Sequence, residues 1–395
     1  MAVGAVTAGT AATGSFWNDR RFRGIFVQAL VLGLLSCLFY LVVTNTIANL
    51  EKRNIATGFW FLTQPAGFEI PLVLIPYEAE STHGRVFVVG LLNTIFISIL
   101  GCIIATLLGF AMGVARLSGN WLLGKVVYWI VEFTRNVPLL LQIIFWYTIM
   151  LGLPKIRDSI VFFDDFYLSN SGLISPIAVL GDDFTFVVIA LCLAILGVWA
   201  LSRWARKRQE TTGQRFPAFW AGLAILIIVP TAVYYAIDAP MEWEFPVRSR
   251  FGLRGGLQIT PEIMAMLVGL SFYTAAFISE IVRAGILSVH KGQREAANAL
   301  GMQPNATMRL IIIPQAMRVI IPPLASQYLN LTKNSSLGFA IGFSELTAVF
   351  GGISLNQTGQ AIECMAITMA AYLTLSLMIS SFMNFYNARM RLVER

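Results

Sequence analysis

The chain has 395 residues, 57% of them hydrophobic and only 12% charged, a balance that excludes a water-soluble fold and points to several membrane crossings. Its net charge of +7 follows the pattern of a membrane topology and forms no patch suited to nucleic acid. Cys37, Cys102, Cys192 and Cys364 stand at unrelated spacings in or beside apolar stretches, so they read as small apolar fillers and indicate neither a disulfide nor a metal site.

Met1 to Ser15, rich in Ala, Gly and Thr, reads as a disordered tail. Eight apolar stretches then approach the length of about 20 residues that crosses a bilayer. They run roughly from Ile25 to Thr44, Phe87 to Val114, Pro138 to Leu153, Phe184 to Leu201, Ala218 to Ile237, Ile263 to Val282, Val319 to Phe343 and Ala366 to Phe385. The third is short, and the apolar run before it, from Val126, is expected at the interface. The predicted fold is an all-α polytopic membrane protein. Basic residues are retained in the cytoplasm. An inside amino terminus places Arg20, Arg21, Arg23, the Arg203 to Arg208 cluster and the loop from Arg283 to Arg318 in the cytoplasm, with both termini. Acidic residues such as Glu78, Glu80, Asp164, Asp165 and Glu242 then collect outside.

Asn54 to Tyr77, with Phe59, Trp60, Phe61 and Phe68, reads as an aromatic interfacial segment, either an anchor or part of a landing surface. Gly109 and Gly113 form a small-xxx-small pair suited to helix packing. Gly119 to Lys125 nearly spells a nucleotide-binding loop, but Val126 stands where a magnesium-binding Ser or Thr belongs and no strand precedes it. ATPase activity is therefore not expected here. Glu132 and Arg135 share one helix face and can pair locally, in a structural or gating role. His83 and His290, the two histidines, fall on opposite sides of the expected membrane and cannot share a metal.

Between the sixth and seventh spans, Glu295-Ala-Ala-Asn-Ala-Leu-Gly301 is a helix-forming run of small residues closed by glycine. Pro304 can open a second helix. After Gly301 and nine intervening residues comes Ile311-Ile-Ile-Pro314. Further on, Pro322 and Pro323 are expected to interrupt the seventh span, and Lys333-Asn334-Ser335-Ser336 lies near its end. A lysine near the bilayer interior needs a reason. Lys333 could meet a substrate carboxylate together with Asn334, Ser335 and Ser336, pair with Glu280 or Glu345 as a strut, or snorkel.

The pattern from Glu295 to Pro314 resembles the loop by which permease subunits of ATP-driven bacterial importers engage their ATPase, with Ile313 where leucine is usual. Glu132-Phe-Thr-Arg135-Asn-Val-Pro138, Ser279-Glu280-Ile-Val-Arg283-Ala-Gly285 and Leu331-Thr-Lys333-Asn-Ser-Ser-Leu337 resemble the permeases of the polar amino acid uptake family, over about Val88 to Gly152 and Leu257 to Arg395. The resemblance implies a five-helix type I ABC importer core. The chain departs from the short pattern by an extra first span and a two-span insert from Pro154 to Gly256, as in general L-amino acid or glutamate, glutamine, aspartate and asparagine importers.

That implies a division into a cytoplasmic tail (1–24), an extra span with a periplasmic segment (25–87) and a permease domain (88–395). The permease domain would contain the inserted hairpin (about 154–256) and the ATPase-coupling loop (about 283–318). The implied partners are an ATPase dimer holding ATP and Mg, a second and different permease, a periplasmic amino acid binding protein and membrane lipid, in a bacterial inner membrane. Glu295, Ala296, Ala297, Gly301 and Pro314 would couple to the ATPase, and L-amino acids would pass by alternating access. The alternative is a secondary amino acid transporter driven by an ion gradient, which would need paired discontinuous helices and intramembrane carboxylates.

Overall fold

A computed structural model describes residues 20–52, 57–181, 183–214, 216–238, 241–249 and 252–390. The expected tail from Met1 to Ser15 lies outside the described residues. The long helices are α1 (Arg20–Lys52), α2 (His83–Ala115), α5 (Phe184–Thr212), α6 (Ala218–Ala236), α7 (Pro261–Leu287), α10 (Ile313–Asn334) and α13 (Ala361–Met390). Among the described residues, seven helical segments are long and apolar enough to cross a bilayer. The third expected span is shorter. It forms only α4 (Leu139–Leu151), and the apolar run before it is a separate helix, α3 (Trp121–Asn136), because Val137 and Pro138 hold a non-helical backbone between them. The 13 residues of α4 reach only about 20 Å.

The core is built on α2 and α7, which run in parallel. Glycines recur along α2 where α7 comes closest: a Cβ on Gly109 would stand 2.6 Å from the Ile278 side chain, and one on Gly113 2.8 Å from that of Val282. The small-xxx-small pair is thus a helix-packing contact, and dispersion gained at short backbone separation holds it. Gly285 lets Ile320 of α10 sit against the α7 backbone in the same way. Ile97, Ile143, Met266, Leu270, Ile278 and Leu331 are fully buried between α2, α4, α7 and α10.

The insert carries β-structure that hydrophobic patterning does not announce. Strands β1 (Ile160–Phe162), β2 (Phe166–Ser169), β3 (Gly172–Ser175) and β8 (Leu257–Ile259) form an antiparallel sheet in that order. Two further ribbons pair β4 (Ile177–Leu180) with β5 (Met241–Glu244), and β6 (Val247–Ser249) with β7 (Gly252–Arg254). The helical hairpin α5–α6 rises from the β4–β5 ribbon and packs chiefly on itself.

The aromatic segment before α2 departs from a purely interfacial reading. Phe61, Ala66 and Ile70 are buried against Val86, Val89 and Phe350, while Phe59 and Trp60 stay exposed. It is a plug over the start of α2. His83 closes this cluster, with Nδ1 2.9 Å from the Ser354 hydroxyl. The remaining elements are α8 (Lys291–Ala299) and α9 (Pro304–Thr307) between α7 and α10, and α11 (Leu346–Ala348) and α12 (Leu355–Thr358) between α10 and α13. Chain connectivity puts α8 and α9 at the opposite end of the bundle from the sheets.

Candidate functional site

The loop between α7 and α10 is assembled by local chemistry. His290 caps α8, its Nδ1 accepting from the Gly292 N–H at 3.1 Å. The helix closes with paired bonds at its end: Gly301 N–H donates to the Asn298 carbonyl at 2.9 Å, and Met302 N–H to the Ala297 carbonyl at 3.1 Å. This closure requires a left-handed residue, and Gly301 supplies it at φ +72° with no heavy atom within 4 Å of where a Cβ would stand. Glycine is therefore fixed by the backbone and not by room. Pro304 opens α9 as its first residue. A π-helical turn, Met308–Ile312, then leads into α10, which has Pro314 in its first turn.

On α8 only Ala297 is buried, at 1% exposure. Glu295 and Ala296 face away from the bundle, as does Gly301 after them. Leu300 projects beside them at 80% exposure. The sequence reading passed over it as the last helical residue. A leucine left in water at a loop tip, next to a flat alanine face, is an apolar knob without a socket in this chain. Gln315 Nε2 to Gln293 Oε1, at 3.3 Å, ties α8 to α10.

Behind the loop stands a charge clamp. Glu280 of α7 takes Arg116, at the end of α2, at 2.6 Å and Arg283, one turn along α7, at 2.5 Å. Arg116 is only 8% exposed at its side chain and lies over the Tyr128 ring at 5.3 Å. Glu132 and Arg135 form their expected local pair at 3.6 Å, and the Arg135 guanidinium lies over Phe277 of α7 at 5.3 Å. Both clusters thus brace α7 from neighbouring helices, but they are separate.

The Lys333 group does not come together as one constellation. Lys333 is exposed and has no carboxylate partner among the described residues, which corrects the strut to Glu280 or Glu345. Glu280 is taken by the two arginines. Glu345 is fully buried and caps α11, accepting from the Thr347 and Ala348 N–H groups and from the Tyr372 hydroxyl at 2.6, 2.8 and 2.9 Å. Asn334 is half-buried. Ser335 turns into the core and donates to the Thr332 carbonyl at 2.7 Å, and Ser336 donates to the Lys333 carbonyl at 2.8 Å. Helical geometry spreads four consecutive residues around the axis, so Lys333 and Ser335 face opposite ways. The prolines behave differently from expectation too. Pro322 and Pro323 lie inside an unbroken α10, and the irregular backbone is the π turn upstream and the 3₁₀ segment Ser335–Ile341 downstream.

Residues 210–392 match the family model described as binding-protein-dependent transport system inner membrane component. Among named relatives, the general L-amino acid transport system permease protein AapQ of Rhizobium johnstonii is 48% identical over 95% of this chain and 94% of its own length. The glutamate/glutamine/aspartate/asparagine transport system permease protein BztB of Rhodobacter capsulatus is 42% identical over 95% of this chain and 96% of its own. Among solved structures, the crystal structure of an amino acid ABC transporter with histidines aligns with a TM-score of 0.46 and 20% identity, over 78% of this chain and 95% of that one. The secondary transporter weighed from the sequence is not what these relatives are. The chain belongs to the amino acid ABC transporter permeases: it is a multi-pass membrane subunit and not an enzyme, and ATP is hydrolysed in a separate ATPase subunit.

Proposed function

We propose that this chain is the translocating subunit of an ATP-driven, binding-protein-dependent importer of L-amino acids, working by alternating access. The observation that carries the reading is the capped helix Lys291–Ala299 with its glycine closure. It offers Glu295, Ala296 and Leu300 outward and fixes Ala297 inward, a rigid docking element for an ATPase that binds ATP and Mg. Closure of the ATPase dimer pushes α8, and the Gln293–Gln315 contact and the π turn carry the displacement to α10. A cavity of about 780 Å3 between α2, α7 and α10, reached by Arg294, leaves room for that motion. The Glu280 clamp holds α2 to α7 while α10 moves. A ligand-loaded binding protein favours the outside-open state, which couples substrate to ATP use.

In this reading both termini and α8 face the cytoplasm, because the basic loops lie at that end. In the same reading the chain divides into a cytoplasmic tail (1–24), an extra span with its external segment (25–87) and a permease domain (88–395) that contains the inserted hairpin. The second permease is a different chain, making a heterodimer, and Lys333 with Asn334 and Ser336 lines the substrate path. The test is uptake of labelled L-amino acids into vesicles holding the full assembly and its binding protein. Vanadate should stop uptake while the proton gradient stays intact, and uptake that persists under vanadate but falls with the gradient would refute the ATP-driven reading. In the same vesicles Lys333→Met should abolish uptake with the complex assembled; unchanged uptake would remove Lys333 from the path.

A further inference from the structure

The inserted hairpin ends, on the side of the bundle that carries α8, in a group of cations that transport does not call on. Arg203, Arg206, Lys207 and Arg208 fall within the last turns of α5, with Glu210 the one acid beside them. A charge run at a helix end is ordinarily a solvated face, but three observations set this one apart. First, none of Arg203, Arg206 and Lys207 has a carboxylate partner among the described residues, so no ion pair there relieves their mutual repulsion. Second, aromatic rings hold two of the cations along the last turns of α5: the Arg203 guanidinium stacks on Trp199 at 3.8 Å, Arg208 lies over Trp204 at 5.3 Å, and Trp204 meets Phe216 edge-on at 5.3 Å. Tryptophan and arginine at a span's end mark the headgroup layer. Third, the helices do not close on each other there. They leave an open crevice of about 510 Å3.

The lining of that crevice changes along its length. Arg206 and Gln209 lie on the α5 face turned toward α6 and give the outer end one cation and one hydrogen-bonding amide, while the Ser202 hydroxyl between them and the apolar part donates to the Val198 carbonyl at 2.8 Å. Deeper in, Val198 packs on Gly222, where a Cβ would stand 3.1 Å from it, and Phe219, Leu223 and Leu226 of α6 give the apolar wall beside that contact. A polar, cationic mouth over an apolar trough is what a phospholipid needs: an anion-binding end at the headgroup level and a groove for an acyl chain below it.

We propose that the α5–α6 crevice is a binding site for an anionic phospholipid. The lipid phosphate is held by Arg206 and Gln209, the field of Arg203, Lys207 and Arg208 selects net negative charge over zwitterionic headgroups, and an acyl chain lies along Phe219, Leu223 and Leu226. The inference goes beyond the transport reading and does not depend on it. Its consequence is that a specific lipid bridges α5 and α6 at the end where the two helices do not close on each other.

The test is native mass spectrometry of the full-length chain released from detergent, titrated with phosphatidylglycerol or phosphatidylethanolamine of matched acyl chains. Wild type should retain phosphatidylglycerol in preference. Each basic residue near a membrane surface is worth about fivefold in affinity, so Arg203→Gln, Arg206→Gln and Lys207→Gln together should weaken retention on the order of 100-fold. The charge-keeping variant Arg203→Lys with Arg206→Lys should retain most of it, and millimolar inorganic phosphate should not displace the lipid. Equal retention of the two lipids by wild type would overturn the proposal whether or not the triple variant inserts. So would undiminished retention by a folded triple variant, or displacement by inorganic phosphate, which would mark a site for the free anion.

Discussion

Substitution of Gly301 separates the two reasons a glycine can be required. In the structure it sits at φ +72° with open space around a would-be Cβ, so within this chain the penalty is confined to the backbone. A left-handed conformation costs an L-residue about 1–2 kcal/mol, with β-branched side chains at or above the top of that range and Asn near the bottom. If the loop must hold this closure to dock, the affinity for the ATPase subunit should fall about fivefold for Gly301→Ala, about 30-fold for Gly301→Val and no more than about threefold for Gly301→Asn, at 1.4 kcal/mol per tenfold. The assay is titration of the chain, reconstituted in nanodiscs, with its ATPase subunit. Wild-type affinity in the valine variant would refute the claim that the closed loop is the docking element. Asparagine as damaging as valine would show that the partner's surface excludes a side chain, and the backbone argument would fail.

Three other perturbations test the scaffold behind the loop. Glu280→Gln strands the nearly buried Arg116 and should destabilise the chain by about 2 kcal/mol, less than a fully buried pair because Glu280 keeps water contact; thermal unfolding in detergent reads it, and adding Arg116→Met should recover part of the loss. Gly109→Ala drives a Cβ into Ile278 and should cost about 1–3 kcal/mol by overpacking, whereas Gly119→Ala, which meets nothing within 4 Å, should leave the melting temperature unchanged. Burial pushes the carboxyl of Glu345, in the segment between α10 and α13, up from 4.5 to about 7. The native state then holds a proton that the unfolded chain releases, so its contribution to stability is full below about pH 4.5 and is lost as pH rises through about 7. Glu345→Gln should flatten that decline in a pH series of melting temperatures, and an unchanged slope would contradict it.

What could be read from the sequence was what is decided locally. The closure at Gly301 and the helix start at Pro304 follow from the conformational limits of two residue types, and the Glu132–Arg135 pair from helical spacing. The Arg116–Glu280 bond joins residues 164 positions apart, and no local signal in a single chain reveals it. The strands escaped because they are three or four residues long and too short to show alternation. The Asn170-Ser171 pair between β2 and β3, with Gly172 opening β3, is a hairpin signal that could have been weighed. Pro322 and Pro323 misled by being read as breakers, when α10 continues through both. Ser335 was grouped with Lys333 by adjacency, though one residue along a helix turns a side chain by about 100°.

The pairing of β3 with β8 bears on how such a chain is put together. Ser175 stands opposite Leu257 in the antiparallel register, so the polypeptide leaves for the two extra spans and returns within one strand spacing, roughly 5 Å. A two-residue turn joining those positions would close the gap. The sheet therefore works as a seam. A change of length between its edges need not shift the register of α4 against α7, and the helical bundle is thereby insulated from its own largest loop.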